Sequence, residues 1–487
     1  MSRVSSPASS QLYRAFAARD ARFDGVFFVG VTSTGIYCRP VCTARTPKEA
    51  NCRFFPSAEA AEQARFRPCL RCRPELAPGK APVDQGHQVA ELLVQRIGEG
   101  MLDNGAGLET VATRFGWSAR QLRRIVRKEL GVSPIELVLT RRLLLAKQLL
   151  TETVLPIGDV AFASGFSSLR RFNDAFGGRY RMPPTRFRKT AAGNGAAPAA
   201  DTLRLMLSWR PPFDWNGLLE FLRARALAGV ESVTADSYAR TVQLGDATGW
   251  LRVTRVPGRN GLQVELSHSL TPVLPALLAR LKHLFDLSAR PDQIGARLSE
   301  DPVLANAVKR HPGLRVPGAF DGFELAVRAI LGQQVSVKAA TTIAARFVER
   351  FGAVMNTPFP ELSRLTPAPH RVARTSAGDI ASLGIVRSRA EAILALARAM
   401  DSGHLVLEPG VPPEPVIEQL VALPGVGAWT AQYIAMRALR WPDAFPKEDV
   451  IVRKRLGGVT ARQAETMAEQ WRPWRSYATL HLWRGDS

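Results

Sequence analysis

Apolar positions along this chain change rhythm twice. Across residues 88–190 they recur at helical spacing, and the stretch reads as helix after helix. Val111, Ala112, Leu122 and Ile125 space one apolar face, and Val160, Ala161, Phe172 and Phe176 space another. The two faces belong to an internal repeat. Leu108-Glu-Thr-Val-Ala-Thr-Arg-Phe-Gly-Trp-Ser118 is echoed by Ile157-Gly-Asp-Val-Ala-Phe-Ala-Ser-Gly-Phe-Ser167. Gly116 and Gly165, 49 residues apart, stand where a tight turn between helices needs an unhindered backbone. Each copy continues into a basic helix and then Pro134 or Pro184. From residue 202 the rhythm becomes alternation, which predicts a strand over 202–209 and, after a helix over 215–225, strand-like runs near 231–243, 249–256 and 261–268. An apolar helix over 273–287 follows, and beyond about 320 the pattern is helical with Gly/Pro punctuation.

Two breaks divide these rhythms: residues 77–87 are Pro/Gly-rich, and 191–200 are low in complexity. The expected domains are therefore 1–80, 85–190, 202–312 and 313–487, with 191–201 as a linker. A length of 487 residues calls for several cores, and 46% hydrophobic with 22% charged residues excludes wholesale disorder. The start, MSRVSSPASS, lacks the apolar core of a signal peptide, and no uncharged apolar run reaches 18 residues, so a cytoplasmic protein without a membrane partner is expected. The net charge of +22 changes the picture. Residues 1–190 hold 30 basic and 16 acidic side chains, and so strong an excess points to a polyanion, most often nucleic acid.

All five cysteines lie within the first 72 residues, which argues for a metal site in a reducing compartment. Cys38-x3-Cys42 and Cys69-x2-Cys72 are two knuckles whose four thiolates, each about 2.3 Å from the ion, can complete a tetrahedral zinc shell; Cys52 lies outside both. On spacing alone such a site is structural. The surrounding residues, Phe27-Phe-Val-Gly-Val-Thr-Ser-Thr-Gly-Ile-Tyr-Cys-Arg-Pro-Val-Cys42 and Phe66-Arg-Pro-Cys-Leu-Arg-Cys72, closely resemble the N-terminal domain of the Ada family of adaptive-response regulators. That resemblance, over roughly residues 10–80, implies that Cys38 accepts a methyl group irreversibly from a methylphosphotriester in DNA. Metal coordination keeps the sulfur nucleophilic, and methylation removes one negative charge that repels ordinary phosphate. The site would then be a sensor.

The helices after the two turns present Arg120, Gln121, Arg123, Arg124 and Arg127, then Ser168, Arg170, Arg171 and Asn173, side chains that can reach base edges and phosphates. A single copy could be a solvated basic face. Two copies resemble the AraC-type DNA-binding domain, which implies paired recognition helices in successive major grooves; Arg120, Gln121, Arg124, Arg170, Arg171 and Asn173 are the expected contacts.

In the last third, Leu423-Pro-Gly-Val-Gly-Ala-Trp-Thr-Ala431 is a helix–hairpin–helix signature in which Gly425 and Gly427 let backbone amides approach a phosphate. Asp449 follows in Phe-Pro-Lys-Glu-Asp-Val-Ile-Val-Arg. With Ala329-Ile-Leu-Gly-Gln-Gln-Val-Ser336, Trp209-Arg-Pro-Pro-Phe-Asp-Trp215, Ala235-Asp-Ser-Tyr-Ala-Arg240 and Trp471-Arg-Pro-Trp-Arg-Ser-Tyr-Ala-Thr-Leu-His-Leu-Trp483, this resembles the AlkA-type helix–hairpin–helix glycosylases that excise 3-methyladenine, over roughly residues 202–485. The resemblance implies Asp449 as the carboxylate that stabilises positive charge on the deoxyribose; a helix N-cap is its plainer role, and both can coexist. It further implies Phe221, Trp429, Tyr433 and Trp483 as an aromatic base pocket suited to cationic alkylpurines. Trp429 occupies the place of the lysine nucleophile of bifunctional relatives, so a monofunctional, hydrolytic enzyme is expected. No cysteine follows Cys72, so no iron–sulfur cluster is expected. Two positions depart from the pattern: Gln334 stands at the apolar wedge that fills the gap left by a flipped base, and Val450 stands where an aromatic can occur.

Together these resemblances predict a multidomain, mainly α chain with α+β parts: a four-cysteine zinc domain, an AraC-type double helix-turn-helix, a TATA-binding-like α+β domain and an all-α glycosylase domain. Expected ligands are one Zn²⁺, double-stranded DNA, alkylated or promoter, and a monovalent cation at the hairpin. RNA polymerase is a further expected partner, and the chain is expected to be a monomer. The competing reading is a methylation-activated regulator whose C-terminal half binds damage without turnover. A second methyltransferase would need a Pro-Cys-His-Arg motif, which does not occur.

Overall fold

The computed structural model describes residues 9–20, 23–24, 27–55, 57–74, 89–90, 93–94, 97, 108–109, 112, 117–191 and 202–485. Val111, Gly116 and the breaks at 77–87 and 192–200 lie outside the described residues. The chain packs as two compact units, Met1–Gln95 with Ala106–Leu137 and Arg96–Gly105 with Val138–Ser487.

In the first unit a four-stranded sheet runs in the order β3-β1-β2-β4, with β1 Phe28–Val31, β2 Ile36–Cys38, β3 Cys52–Phe55 and β4 Arg67–Pro68. A tight turn over 32–35 returns β2 antiparallel to β1, and β4 lies parallel to β2 with Tyr37 opposite Pro68. That register matters. It sets Cys38, at the end of β2, beside Cys69, whose amide donates to the Tyr37 carbonyl at 3.0 Å. Phe28, Tyr37, Phe55 and Phe66 form the small core on one side of this sheet. The same unit holds the helix Ala119–Leu130, opened by a capping box of Ser118 and Gln121 and closed by Gly131.

The second unit contains the second helix-turn-helix, Ile157–Ala163 and Leu169–Tyr180, with Gly165 at φ +86 in the turn, a left-handed backbone that a side chain would strain. Phe166, Phe172 and Phe176 fill its core. Next comes an antiparallel sheet in the order β5-β9-β8-β7-β6, with β5 Thr202–Ser208, β6 Glu231–Val233, β7 Ser237–Leu244, β8 Ala247–Arg255 and β9 Gly261–Ser267. The single run expected at 231–243 is a hairpin of two strands. Thr234 breaks it, because its hydroxyl accepts from the amides of Asp236 and Ser237 and folds the chain back.

The division between units falls inside the helix Pro134–Glu152. The reason is a shared core: Leu143, Leu149 and Leu150 of that helix and Phe172 and Phe176 cluster with Leu203, Leu205 and Leu207 of β5 and with Leu277 and Phe285. Polar contacts reinforce it. β5 is an edge strand, and Met206 receives Gln148 Nε2 on its carbonyl and donates its amide to Glu152 Oε2, both at 2.8 Å. The remainder of the unit is helical, from Gly322–Leu331 to Arg475–Arg484, around the largest apolar core.

Candidate functional site

The zinc cysteines come together as the spacing predicts. The Sγ atoms of Cys38, Cys42, Cys69 and Cys72 all lie within 4.8 Å of one another, and all four residues are buried. Sulfurs so close cannot all ionise alone: contacts with Cys42 and Cys72 push the Cys38 thiol far up, while Cys42 is drawn down to about 2 chiefly by its contact with Cys38. Four soft donors and this crowding fit a tetrahedral zinc ion. The amide of Ala44 donates to Cys42 and that of Arg39 to Cys72, both at 3.5 Å, while no amide of a described residue donates to Cys38. Arg39, fully buried beside Cys38, is held by an ion pair with Asp24. Cys52 stays outside, with its thiol turned to the Lys48 carbonyl.

Of the expected DNA-reading side chains, Arg120, Arg124, Arg170, Arg171 and Asn173 are exposed on the helices after the turns. Gln121 is exposed on the first of these helices as well, and its side-chain oxygen accepts from the Ser118 amide at 2.9 Å, completing the capping box that starts the helix.

The second centre is built where four helices converge. The hairpin between Pro413–Val421 and Ala428–Arg437 is pinned by buried Val426. Gly425 there has φ +75, and beyond Gly427 an added Cβ would meet nothing within 4 Å, which leaves the backbone open to an approaching phosphate. From the hairpin helix, Trp429 stacks on Tyr433 with planes 8° apart and centroids at 5.3 Å. Trp483, on the last helix, lies 6.1 Å from Tyr433.

Asp449 caps the helix Val450–Arg455 and is 8% exposed. Its Oδ1 accepts the Val452 amide at 2.9 Å and Trp483 Nε1 at 3.0 Å, and its Oδ2 accepts Trp429 Nε1 at 2.9 Å. Its N-cap carboxylate therefore stands among the aromatics. Val450 and Ile451, beside it, are exposed.

Phe221, on the helix Trp215–Arg223, joins the group through guanidinium groups. Arg225 lies 3.8 Å over its ring, and Arg437 lies 5.1 Å from Phe221 and 5.5 Å from Tyr433. Burial alone would push the Tyr433 phenol up, but Arg437, which donates to its oxygen at 2.6 Å, and Arg225 outweigh it and hold it below an ordinary tyrosine. Arg484 pairs with Asp214, the cap of the Phe221 helix, and so ties that helix to the one bearing Trp483.

Gln334 sits exposed at the tip of the turn after Gly322–Leu331 with φ +54, a left-handed conformation unusual for a side-chain-bearing residue. Reading the sequence missed its neighbour. Gln333 Nε2 donates to the Gly425 carbonyl at 2.9 Å and to Thr430 Oγ1 at 3.0 Å, fastening the Gln334 turn to the hairpin. The missed signal was the doubled glutamine in Gly332-Gln-Gln-Val335. Arg225 and Arg437 were missed too, although each stands four residues after one of the expected aromatics, Phe221 and Tyr433.

Comparison with known proteins assigns four segments of the chain. Family models match residues 11–75 (metal binding domain of Ada), 111–190 (helix-turn-helix domain), 204–321 (AlkA N-terminal domain) and 327–476 (HhH-GPD superfamily base excision DNA repair protein). The chain is 40% identical over 477 residues, 97% of its length and 95% of the relative's, to the "Probable bifunctional transcriptional activator/DNA repair enzyme AlkA" of Mycobacterium tuberculosis. It is 40% identical over 279 residues, 57% of this chain and 95% of the relative, to DNA-3-methyladenine glycosylase 2 of Escherichia coli. Among solved structures, a 3-methyladenine DNA-glycosylase from Archaeoglobus fulgidus shares the fold over 57% of this chain and 97% of its own, at TM-score 0.50 and 19% identity.

Proposed function

The chain belongs to the family of AlkA-type bifunctional transcriptional activator/DNA repair enzymes, and from that premise we propose how its residues divide the work. It is a DNA repair glycosylase fused to an Ada-like zinc domain and a helix-turn-helix regulator. Asp449 is the carboxylate that stabilises the oxocarbenium ion as an alkylated base of the 3-methyladenine type leaves, and water completes the hydrolysis. The observation that carries this reading is the meeting of Asp449 with Trp429, Tyr433 and Trp483 at one site beside the hairpin. Phe221 and those aromatics receive the base. Gly425 and Gly427 take the phosphate backbone, with a monovalent cation at the hairpin, and Gln334 enters the duplex beside them. With an indole where a lysine nucleophile would stand, the product is an intact abasic strand.

Cys38, Cys42, Cys69 and Cys72 hold zinc, which supplies the positive charge that lets four sulfurs stay deprotonated together. Cys38 is the methyl acceptor. Its sulfur attacks the methyl carbon of a methylphosphotriester, the C–S bond forms as the C–O bond breaks, and the phosphodiester leaves as an anion. Among the described residues no amide donates to Cys38, against one each on Cys42 and Cys72, which leaves its sulfur less quenched than those two. Methylation removes one negative charge and favours undamaged DNA, where Arg120, Arg124, Arg170, Arg171 and Asn173 read the operator and RNA polymerase is recruited by a cytoplasmic monomer.

The test is to incubate the zinc-loaded full chain with duplex DNA carrying 3-methyladenine and methylphosphotriesters, then measure free base and methylated cysteine. Both are expected. Methyl transfer without base release would instead support the pure-regulator reading.

A further inference from the structure

We infer that the indole N–H groups of Trp429 and Trp483 position Asp449 as a fixed, uncancelled charge, a role separate from anything their ring faces do with a base. This rests on the glycosylase reading above. A carboxylate has about four lone-pair directions. On Asp449 three are taken: Oδ1 accepts Val452 N–H and Trp483 Nε1–H, and Oδ2 accepts Trp429 Nε1–H, all at 2.9–3.0 Å. With both oxygens held, the group cannot rotate. All three donors are neutral. Dipoles of this kind replace the water a buried carboxylate loses without cancelling its field, as an arginine or lysine partner would.

The donors themselves are fixed. Trp429 is clamped by its near-parallel stack on Tyr433, and the residue after Trp483 is tied to Asp214. A rigid, single-donor, uncharged side chain is the chemistry needed, and indole supplies it. One acceptor direction remains, on Oδ2. Asp449 is thereby suited to act through charge on the sugar more than as a base that must turn to collect a proton from water.

Asp301 shows that the indoles at Asp449 do something further. It too caps a helix, accepting from Val303 N–H, Gln470 Nε2 and Trp471 Nε1. Trp471, however, is 1% exposed and lies in the core, whereas Trp429 and Trp483 are half-buried. The indoles at Asp449 hold the charge where a substrate can face it.

The experiment is a double-mutant cycle in the full-length, zinc-loaded protein: Trp429→Phe and Trp483→Phe, each alone and with Asp449→Asn, in single-turnover release of 3-methyladenine from duplex DNA. Each Phe keeps a ring and loses the N–H. Loss of a hydrogen bond to a charged group should slow release about tenfold, while affinity for duplex containing an abasic-site analogue stays within about twofold. In the Asp449→Asn background the same substitutions should change the rate by less than about twofold. An equal fall in both backgrounds, or no fall, overturns the inference. A wild type that releases no base defeats the glycosylase reading instead. A second measurement needs no tryptophan variant: with ¹⁵N-labelled tryptophan, two indole resonances should move together on Asp449→Asn, and if neither moves the inference fails.

Discussion

The four sulfurs of Cys38, Cys42, Cys69 and Cys72 crowd within 4.8 Å of one another and, among the described residues, receive two amide donors, whereas the single carboxylate of Asp449 receives three donors to itself. The first centre stores more negative charge than its dipoles can hold, so it needs a cation and is sealed around it. The second stores one charge, clothed by neutral donors, and so can remain open on one side. Metal dependence and substrate access thus follow from how many like charges are buried together.

The largest test of that contrast is removal of zinc. Structural zinc contributes about 10 kcal/mol or more to small domains of this kind, so chelation should unfold the N-terminal region and leave base release from alkylated DNA intact. Full zinc occupancy by elemental analysis of Cys69→Ala would remove Cys69 from the ligand set. Next in size is Asp449→Asn, which keeps shape and removes charge. Single-turnover excision should fall by about two to three orders of magnitude with abasic-analogue binding little changed, and equal rates would take Asp449 out of the mechanism.

A smaller effect should follow from acid. His481, two residues before Trp483, is neutral when folded because burial draws it from 6.5 down to about 4. The unfolded chain binds the proton first, so stability is full above about pH 6.5 and is lost as pH falls towards 4, by about 3 kcal/mol for this group. Thermal melts between pH 7 and 4.5 should show a shallower loss in His481→Gln; an unchanged slope would exclude it. Smallest is the methyl switch. Methylated Cys38 should tighten binding to undamaged DNA by on the order of 1 kcal/mol, less at high salt, and mass spectrometry finding methyl only on another cysteine would exclude Cys38.

Much of this was legible because short-range patterns encode it. Two cysteine pairs predict a shared ion whatever lies between them, and Gly425 and Gly427 mark a hairpin. Asp449 was legible only through its resemblance. As an aspartate before a helix it reads just as Asp301 does, and only the fold shows that one meets the half-buried Trp429 and Trp483 while the other is sealed behind Trp471. Gln333 and Arg437 depend on partners 92 and 120 residues away, and no local period reports those. Gln121 shows the opposite case: a local capping box engages a side chain whose position on a basic helix suggests a base contact.

The contact of Gln148 and Glu152 with Met206 has a consequence for self-association. A bare outer strand is a template on which a second copy can add its own, the first step towards fibrils. Here the long helix of the regulator guards that margin of β5, so a repair half severed at 191–201 would present a sticky border to its neighbours. The fusion shields its enzyme from other molecules of itself.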